Sequence, residues 1–205
     1  IVVFDIGAHY GETIKLFTKK LRIEKIFSFE ASPKNYQILE KKISNYDSNK
    51  VKIFNYGIGE KISDGFINQT LESSSSTINE INLASKYLKR KLKILNIDEK
   101  DSFQSKVPIK ILSLDYFIEK NNIQNIDLLK IDTEGYEFNV LKGMSKYNHL
   151  VKLIYFEHHY DDMIIKDYKF GDIHQLLKSY GFKKLKKSKM LFRKSFEYVY
   201  ENRKN

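Results

Sequence analysis

The residues best suited to chemistry in this chain stand at the ends of apolar runs. The segment DLLKIDTEGYE, Asp127 to Glu137, places Asp132 and Glu134 just past such a run, with Gly135 opening the helical stretch that follows. The segment IYFEHH, Ile154 to His159, sets Glu157, His158 and His159 at the end of the next one. Carboxylates and imidazoles brought to one cleft can take a proton from a hydroxyl or hold a divalent cation. The expected catalytic set is therefore Asp132, Glu134, Glu157 and His158, with Asp132 first as the base. Oxygen ligands from Asp132 and Glu157 suit Mg²⁺, the expected metal. Each residue also has a plainer role: a histidine at a strand end is more often structural, and Glu137 fits a first helical turn facing the helix dipole.

A second constellation lies upstream, in FDIGAHYG, residues 4 to 11. Asp5, Gly7 and Gly11 follow the apolar run Ile1–Phe4. A strand, a glycine turn and a helix let bare backbone approach a nucleotide-like ligand. Glu30 ends the second apolar run, close to the roughly twenty residues that separate loop and ribose acid in a nucleoside-binding βαβ unit. The glycine spacing is G-x-x-x-G, with Ala8, His9 and Tyr10 between, so the dinucleotide fingerprint G-x-G-x-x-G is absent. The phosphate loop G-x-x-x-x-G-K-[ST] is absent too. The loop suits a nucleoside without phosphates, such as S-adenosylmethionine. Its aminoacyl end lies against the loop, and Glu30 accepts both ribose hydroxyls.

The elements that must position these residues alternate along the chain. Strands are expected at Ile1–Phe4, Lys25–Phe29, Val51–Tyr56, Ile109–Leu112, Ile126–Ile131 and Val151–Phe156, with a short extra one at Gly65–Asn68. Helices are expected at Glu12–Lys20, from Pro33 towards Tyr46 with Ser32 as N-cap, from Asp115, and around Asp172–Tyr180. Phe182–Leu185 and Phe196–Tyr200 read as an antiparallel pair closing the sheet. Ser73–Thr77 reads as a polar loop, Asn82–Leu95 as a basic helix, and Asp98–Lys106 as polar and patternless. Alternating strands and helices imply a parallel sheet covered on both faces. The expected fold is α/β, a Rossmann-like open sheet, mostly parallel, with helices on both faces and an antiparallel C-terminal hairpin. Residues 1–205 are expected to form one domain, with about 81–106 as a helical insertion or lid.

Composition agrees with that reading and excludes others. The chain has 205 residues, of which 41% are hydrophobic, enough for a sizeable core. No long uncharged apolar stretch suggests a transmembrane helix. The absence of cysteine excludes a disulfide framework, a thiolate metal site and a cysteine nucleophile, and fits a reducing, cytoplasmic setting. Because the first residue already belongs to a strand, residues are expected before Ile1. The net charge is +10, and Lys183, Lys184, Lys186, Lys187, Lys189, Arg193 and Lys194 carry much of the excess. A solvated hairpin is the first reading of that run, and an anionic partner the second.

The segments VVFDIGAHYGETIKLF, FSFEASPKNYQILEKKI, NYGIG and LSLDYF…IDLLKIDTEGYEFNVLKGM resemble, in order and spacing, the FkbM-type methyltransferases. The resemblance runs from Ile1 to about His159, and KIDTEGYE is its most specific part. It implies the class I fold and S-adenosyl-L-methionine as cofactor. It also implies that Asp5, Gly7, Ala8, His9 and Gly11 form the cofactor loop, that Glu30 and Ala31 hold the ribose side, that Asn55 and Gly57 lie near the adenine, and that Lys130, Asp132, Glu134 and Gly135 form an acidic segment touching the site. Asp132 then serves cofactor and catalysis together. The family usually has Asn where this chain has His9, and the stretch 81–106 is longer than usual. The expected function is O-methylation of a sugar, a glycan or another small hydroxylated molecule. The alternatives are an RNA ribose methyltransferase, favoured by the basic charge, and a non-catalytic binding module of the same fold. Amino methylation of bases is disfavoured, because IDTE stands where an Asn/Asp-Pro-Pro-aromatic motif is needed.

Overall fold

The computed structural model describes residues 1–70, 75–97, 103–189 and 194–203, with Phe103 and Gln104 described by backbone alone. The central sheet has seven strands: β1 (Val2–Ile6), β2 (Lys25–Phe29), β3 (Val51–Phe54), β7 (Ile126–Ile131), β8 (Val151–His159), β9 (Phe182–Lys189) and β10 (Ser195–Asn202). Their order is β3-β2-β1-β7-β8-β10-β9. Strands β3, β2, β1, β7 and β8 pair in parallel, and β10 is antiparallel to both β8 and β9. The expected C-terminal antiparallel pair is present, but the last strand inserts between β8 and β9 instead of taking the edge. A second sheet of three strands is formed by β4 (Gly57–Gly59), β5 (Ser63–Thr70) and β6 (Phe103–Ser113), with β6 in the middle.

Helices cover both faces because the central strands are apolar on both. In β1, Val2, Phe4 and Ile6 point into one core with Phe117 and Ile118 of α4 (Leu114–Lys120), Val140 and Leu141 of α5 (Glu137–Lys142), and Ile173 and Leu177 of α6 (Phe170–Ser179). Val3 points the other way, to Ile14 of α1 (Glu12–Lys20) and Leu39 of α2 (Pro33–Ile43). The two-residue side-chain period of a strand thus feeds two cores from one run. The start of α2 follows the expected chemistry: Ser32 Oγ accepts the Asn35 N–H, and Pro33 opens the helix.

The region after β3 departs from expectation. Tyr56 does not extend β3, and the strand expected at Gly65–Asn68 runs from Ser63 to Thr70. The basic helix is α3, shorter than expected at Lys86–Leu95. Residues 103–106, read as patternless, begin an eleven-residue strand, β6, so the expected insertion is part helix and part sheet. Tertiary pairing with β5 over Lys106–Ile111 overrides the weak local signal. Residues 71–74 and 98–102, where parts of the expected polar segments fall, and Arg193 lie outside the described residues. No helix among the described residues is long and apolar enough to cross a membrane.

One row of polar residues crosses this apolar sheet. Register sets Ser28, Asp5 and Lys130 side by side on β2, β1 and β7. Lys130 Nζ lies 3.0 Å from Asp5 Oδ1, and Ser28 Oγ donates to Asp5 Oδ2 at 3.3 Å. All three residues are buried. Removing one ion of such a pair strands the other in the core. Lys130→Met is expected to cost about 3–5 kcal/mol in urea denaturation, and adding Asp5→Asn to recover most of it. Equal stability of Lys130→Met and wild type would contradict this role for the pair.

Candidate active site

A cleft of about 280 Å³ opens at the carboxyl ends of β1, β2, β7 and β8. Its floor is the glycine loop. Gly7 N–H and Ala8 N–H both donate to Phe29 O, at 2.9 and 3.0 Å, which locks the loop to the end of β2. Gly7 has φ +85°, and a Cβ there would stand 1.8 Å from Asp132 O. Only glycine tolerates both that left-handed backbone and the approach of the β7 turn. Gly11, at φ +87°, caps α1, and a Cβ there would meet Leu39 at 2.9 Å. The first glycine thus brings the loop against the acidic turn, and the second packs α1 on α2. His9 also has positive φ, +47°. Asn is well suited to that conformation, which accounts for the usual Asn of the resemblance as a backbone preference.

Glu30 faces this loop from the end of β2. Its Oε2 accepts the His9 N–H at 2.8 Å and its Oε1 accepts the Ser32 N–H at 2.9 Å. The Asn35 side chain bonds the carboxylate as well, and Glu30 lines the cleft. Burial pushes the Glu30 carboxyl up to about 7, against the pull of the Ser32 and His9 N–H groups. Asn55 Nδ2 donates to the carbonyls of Glu30 and Ala31, at 2.8 and 3.3 Å, and so fixes the backbone beneath them.

The opposite wall is the turn Asp132–Gly135. Glu134 holds a left-handed φ of +50°. Thr77 Oγ1 donates to Glu134 O at 2.8 Å, and Asn79 Nδ2 to Gly135 O at 2.6 Å. Residues 77–79 therefore clamp the strained turn from above. The Asp132 carboxylate is 41% exposed and lies 3.6 Å from Lys130 Nζ. The Glu134 side chain is only 12% exposed, with Oε2 3.5 Å from His159 Nε2. Burial raises the Glu134 carboxyl to about 7, although the neighbouring His159 opposes the shift. His159 Nε2 is also 3.4 Å from Glu157 Oε1, and its Nδ1 is 3.5 Å from Asp161 Oδ2. Burial works against a charge on His159, but Asp161 on one side and Glu134 and Glu157 on the other hold its pKa up at about 9.

Most of the residues singled out in the sequence meet here. Gly7, Ala8, His9, Glu30, Ala31, Gly57, Asp132, Glu134 and Glu157 line the cleft. Asp5, Gly11 and Asn55 do not; they sit behind it and hold its walls. His158 is turned away, because successive residues of β8 point to opposite faces of the sheet. Its ring packs on Tyr160, Tyr168 and Phe170, and burial, then Lys166, drive its pKa down to about 4. His159, one residue on, instead lies on the Glu157 side of the strand, behind the cleft and against Glu134 and Glu157, and strict alternation with Glu157 is the sequence signal for it. The cleft also includes Ser75, Ser76, Thr77 and Ile78, which no motif announced.

The expected Mg²⁺ does not fit these residues. Asp132 already faces the Lys130 cation and Glu157 the cationic His159, and a second cation is disfavoured at both. Among the described residues no group of three or more His, Asp or Glu side chains is arranged to hold a metal ion.

A seven-stranded, mostly parallel sheet with one reversed strand near its edge, and a cleft over the ends of β1 and β2, define the Rossmann-like S-adenosylmethionine-dependent methyltransferases. The sequence matches the Methyltransferase FkbM domain over residues 5–184, and the chain belongs to that family. Among solved structures it is similar to methyltransferase FkbM from Methylobacillus flagellatus KT, with 14% identity and a TM-score of 0.60 over 97% of this chain and 42% of that one. It is similar in fold to M. capricolum TrmK in complex with S-adenosyl-homocysteine, with 9% identity and a TM-score of 0.55 over 98% of this chain and 62% of that one. Sp1610 of Streptococcus pneumoniae, described as a putative tRNA (m1A22) methyltransferase, gives 11% identity and a TM-score of 0.54 over 98% and 63%. The chain thus spans less than two thirds of each of these proteins. No curated protein matches the sequence.

The His159 cluster yields a direct test. The folded pKa of about 9 stands above the ordinary 6.5, so the stability that the charge on His159 contributes is complete below pH 6.5 and is lost as pH rises through about 9. NMR titration of the imidazole should place its midpoint near 9, with Glu134→Gln lowering it. A midpoint at or below 6.5 would contradict the cationic assignment.

Proposed function

We propose that this protein is an S-adenosylmethionine-dependent O-methyltransferase acting, in a cytoplasmic setting, on a hydroxyl of a sugar, a glycan or another small hydroxylated molecule. One observation carries the reading: a ribose-type acid, Glu30, and a proton-accepting acid, Glu134, stand on opposite walls of the same cleft. The S-adenosyl-homocysteine held by the fold relative TrmK supports the choice of cofactor. In this reading Gly7, Ala8 and His9 meet the aminoacyl end, with Asp5 and Gly11 holding the loop. Glu30 accepts the ribose hydroxyls, and Ala31 and Gly57, steadied by Asn55, flank the adenine. Asp132, oriented by Lys130, faces the reacting end.

When bound, the cofactor supplies a methyl group on a sulfonium, which needs in-line attack and little covalent help. The chain must hold the acceptor and remove its proton. Asp132 is the first expectation for the base, but its carboxylate is paired with the Lys130 cation at 3.6 Å. Glu134 is the better base, because burial sets its proton affinity near neutrality. Glu157 and the His159 cation behind it orient Glu134. The carboxylates on this wall favour an uncharged polyol over a phosphate backbone. RNA ribose methylation is the second reading, favoured by the net charge of +10 and the lysines of β9.

Two measurements test these roles. Binding of S-adenosylhomocysteine, followed by calorimetry, needs Glu30 ionised, so affinity should rise with pH up to about 7 and then level off. Glu30→Gln should abolish that dependence and lose about 1.5–3 kcal/mol for each charged hydrogen bond removed. An unchanged affinity removes Glu30 from the ribose role. For the chemistry, release of S-adenosylhomocysteine should be stimulated by members of a glycoside panel and not by RNA. Glu134→Gln should then lower turnover about 10²–10⁴-fold and erase the rate limb near pH 7, while a chelator leaves turnover unchanged. Normal turnover in a folded Glu134→Gln protein removes it as the base.

A further inference from the structure

The proposed chemistry makes no use of the outer face of α3, KYLKRKLKIL, a helix with five basic residues and no acid. Its inner stripe, Leu88 and Leu92, is buried against Met163 and Ile164. Lys86, Arg90 and Lys93, spaced i, i+4 and i+7, form an exposed stripe on the other side. Large apolar side chains stand in solvent at both ends of that stripe. Leu83, in the turn before the helix, is 61% exposed, and at the far end Ile94 is 74% exposed, while Leu95 continues the inner stripe of Leu88 and Leu92. A single exposed Leu or Ile is ordinary on a protein surface. Here the apolar groups instead bracket a uniformly basic stripe. The other basic region, β9, differs: apart from Leu185 its exposed residues are chiefly lysines, which are ordinary on an edge strand because they block pairing with another sheet.

Basic side chains bordered by apolar ones are what an anionic lipid surface selects, with the charges at the headgroups and the apolar groups at the acyl boundary. A nucleic acid complements the charge but gives Leu83 and Ile94 nothing to bury against. We propose that the outer face of α3 docks this protein on an anionic membrane surface, with Lys86, Arg90 and Lys93 at the headgroups and Leu83 and Ile94 inserted among them. The docking is peripheral, and it stands apart from the identity of the methyl acceptor. It also has a route to the cleft, since Lys91 of α3 donates to Ser75 Oγ at 2.6 Å and Ser75 lines the cleft wall.

The test is sedimentation with vesicles of phosphatidylcholine, alone or mixed with phosphatidylglycerol. The wild type should sediment with the mixed vesicles only. Arg90→Gln/Lys93→Gln should lower the partition coefficient about thirtyfold. Ile94→Gln, which removes no charge, should lower it about tenfold. Lys186→Gln/Lys189→Gln on β9 removes the same charge elsewhere and should leave binding within about twofold. All these positions are exposed, and unchanged melting temperatures establish that the variants are folded. Failure of the wild type to bind mixed vesicles overturns the proposal. So does an equal loss in the α3 and β9 pairs, which would mean attraction by net charge alone, and so does full binding by Ile94→Gln, which would mean no insertion.

Discussion

A charged row runs through the middle of an otherwise apolar sheet, and the geometry of the cleft depends on it. Burying a lysine and an aspartate is costly unless the hydrogen-bonding capacity of both is met. Lys130 meets it with three partners, the carboxylate of Asp5, the carbonyl of Gly7 and the carboxylate of Asp132. Burial opposes the charge on Lys130, but the two aspartates outweigh it and hold its pKa above the ordinary value. The ammonium thereby joins the floor of β1, the glycine loop and the acidic turn after β7. Asp132 N–H donates to Ile6 O at 2.9 Å and repeats the link through backbone. Gly7 completes it, since any larger residue would push the turn away.

This division separates a rigid floor from a roof made of different material. The floor is the glycine loop, tied to a sheet paired strand by strand in register. The roof is the segment 75–79, held by side-chain bonds from Thr77 and Asn79 to the Glu134 turn and by the pairing of Asn68 with Thr77. Elements held mainly by side-chain bonds belong to the low-stability end of a structure, from which moving parts are drawn.

The legible parts of the sequence were those governed by local chemistry. Alternating apolar runs gave the parallel strands, Ser32-Pro33 gave the start of α2, and the loop Asp5–Gly11 with Glu30 gave the near wall of the cleft. Long-range pairing was not legible. Nothing local in FQSKVPIK marks the start of β6, which is defined by β5 and β4 beside it. The insertion of β10 between β8 and β9 is likewise a matter of topology. At the far wall one orientation was not legible: β8 runs on to His159, so alternation sends Glu157 to the cleft with His159 behind it, and His158 to an aromatic pocket. The role of Lys130 was hidden for a similar reason, because only register places it beside Asp5.

On the reading proposed above, one cofactor spans the two walls which the Asp5–Lys130 row holds together. A crystal structure of the complex with S-adenosylhomocysteine tests it most directly. Ribose hydroxyls are expected in hydrogen-bond range of Glu30, the aminoacyl end against Gly7–His9, and the sulfur facing the Asp132–Glu134 turn. A nucleoside bound away from Glu30, or a sulfur facing away from that turn, would contradict it.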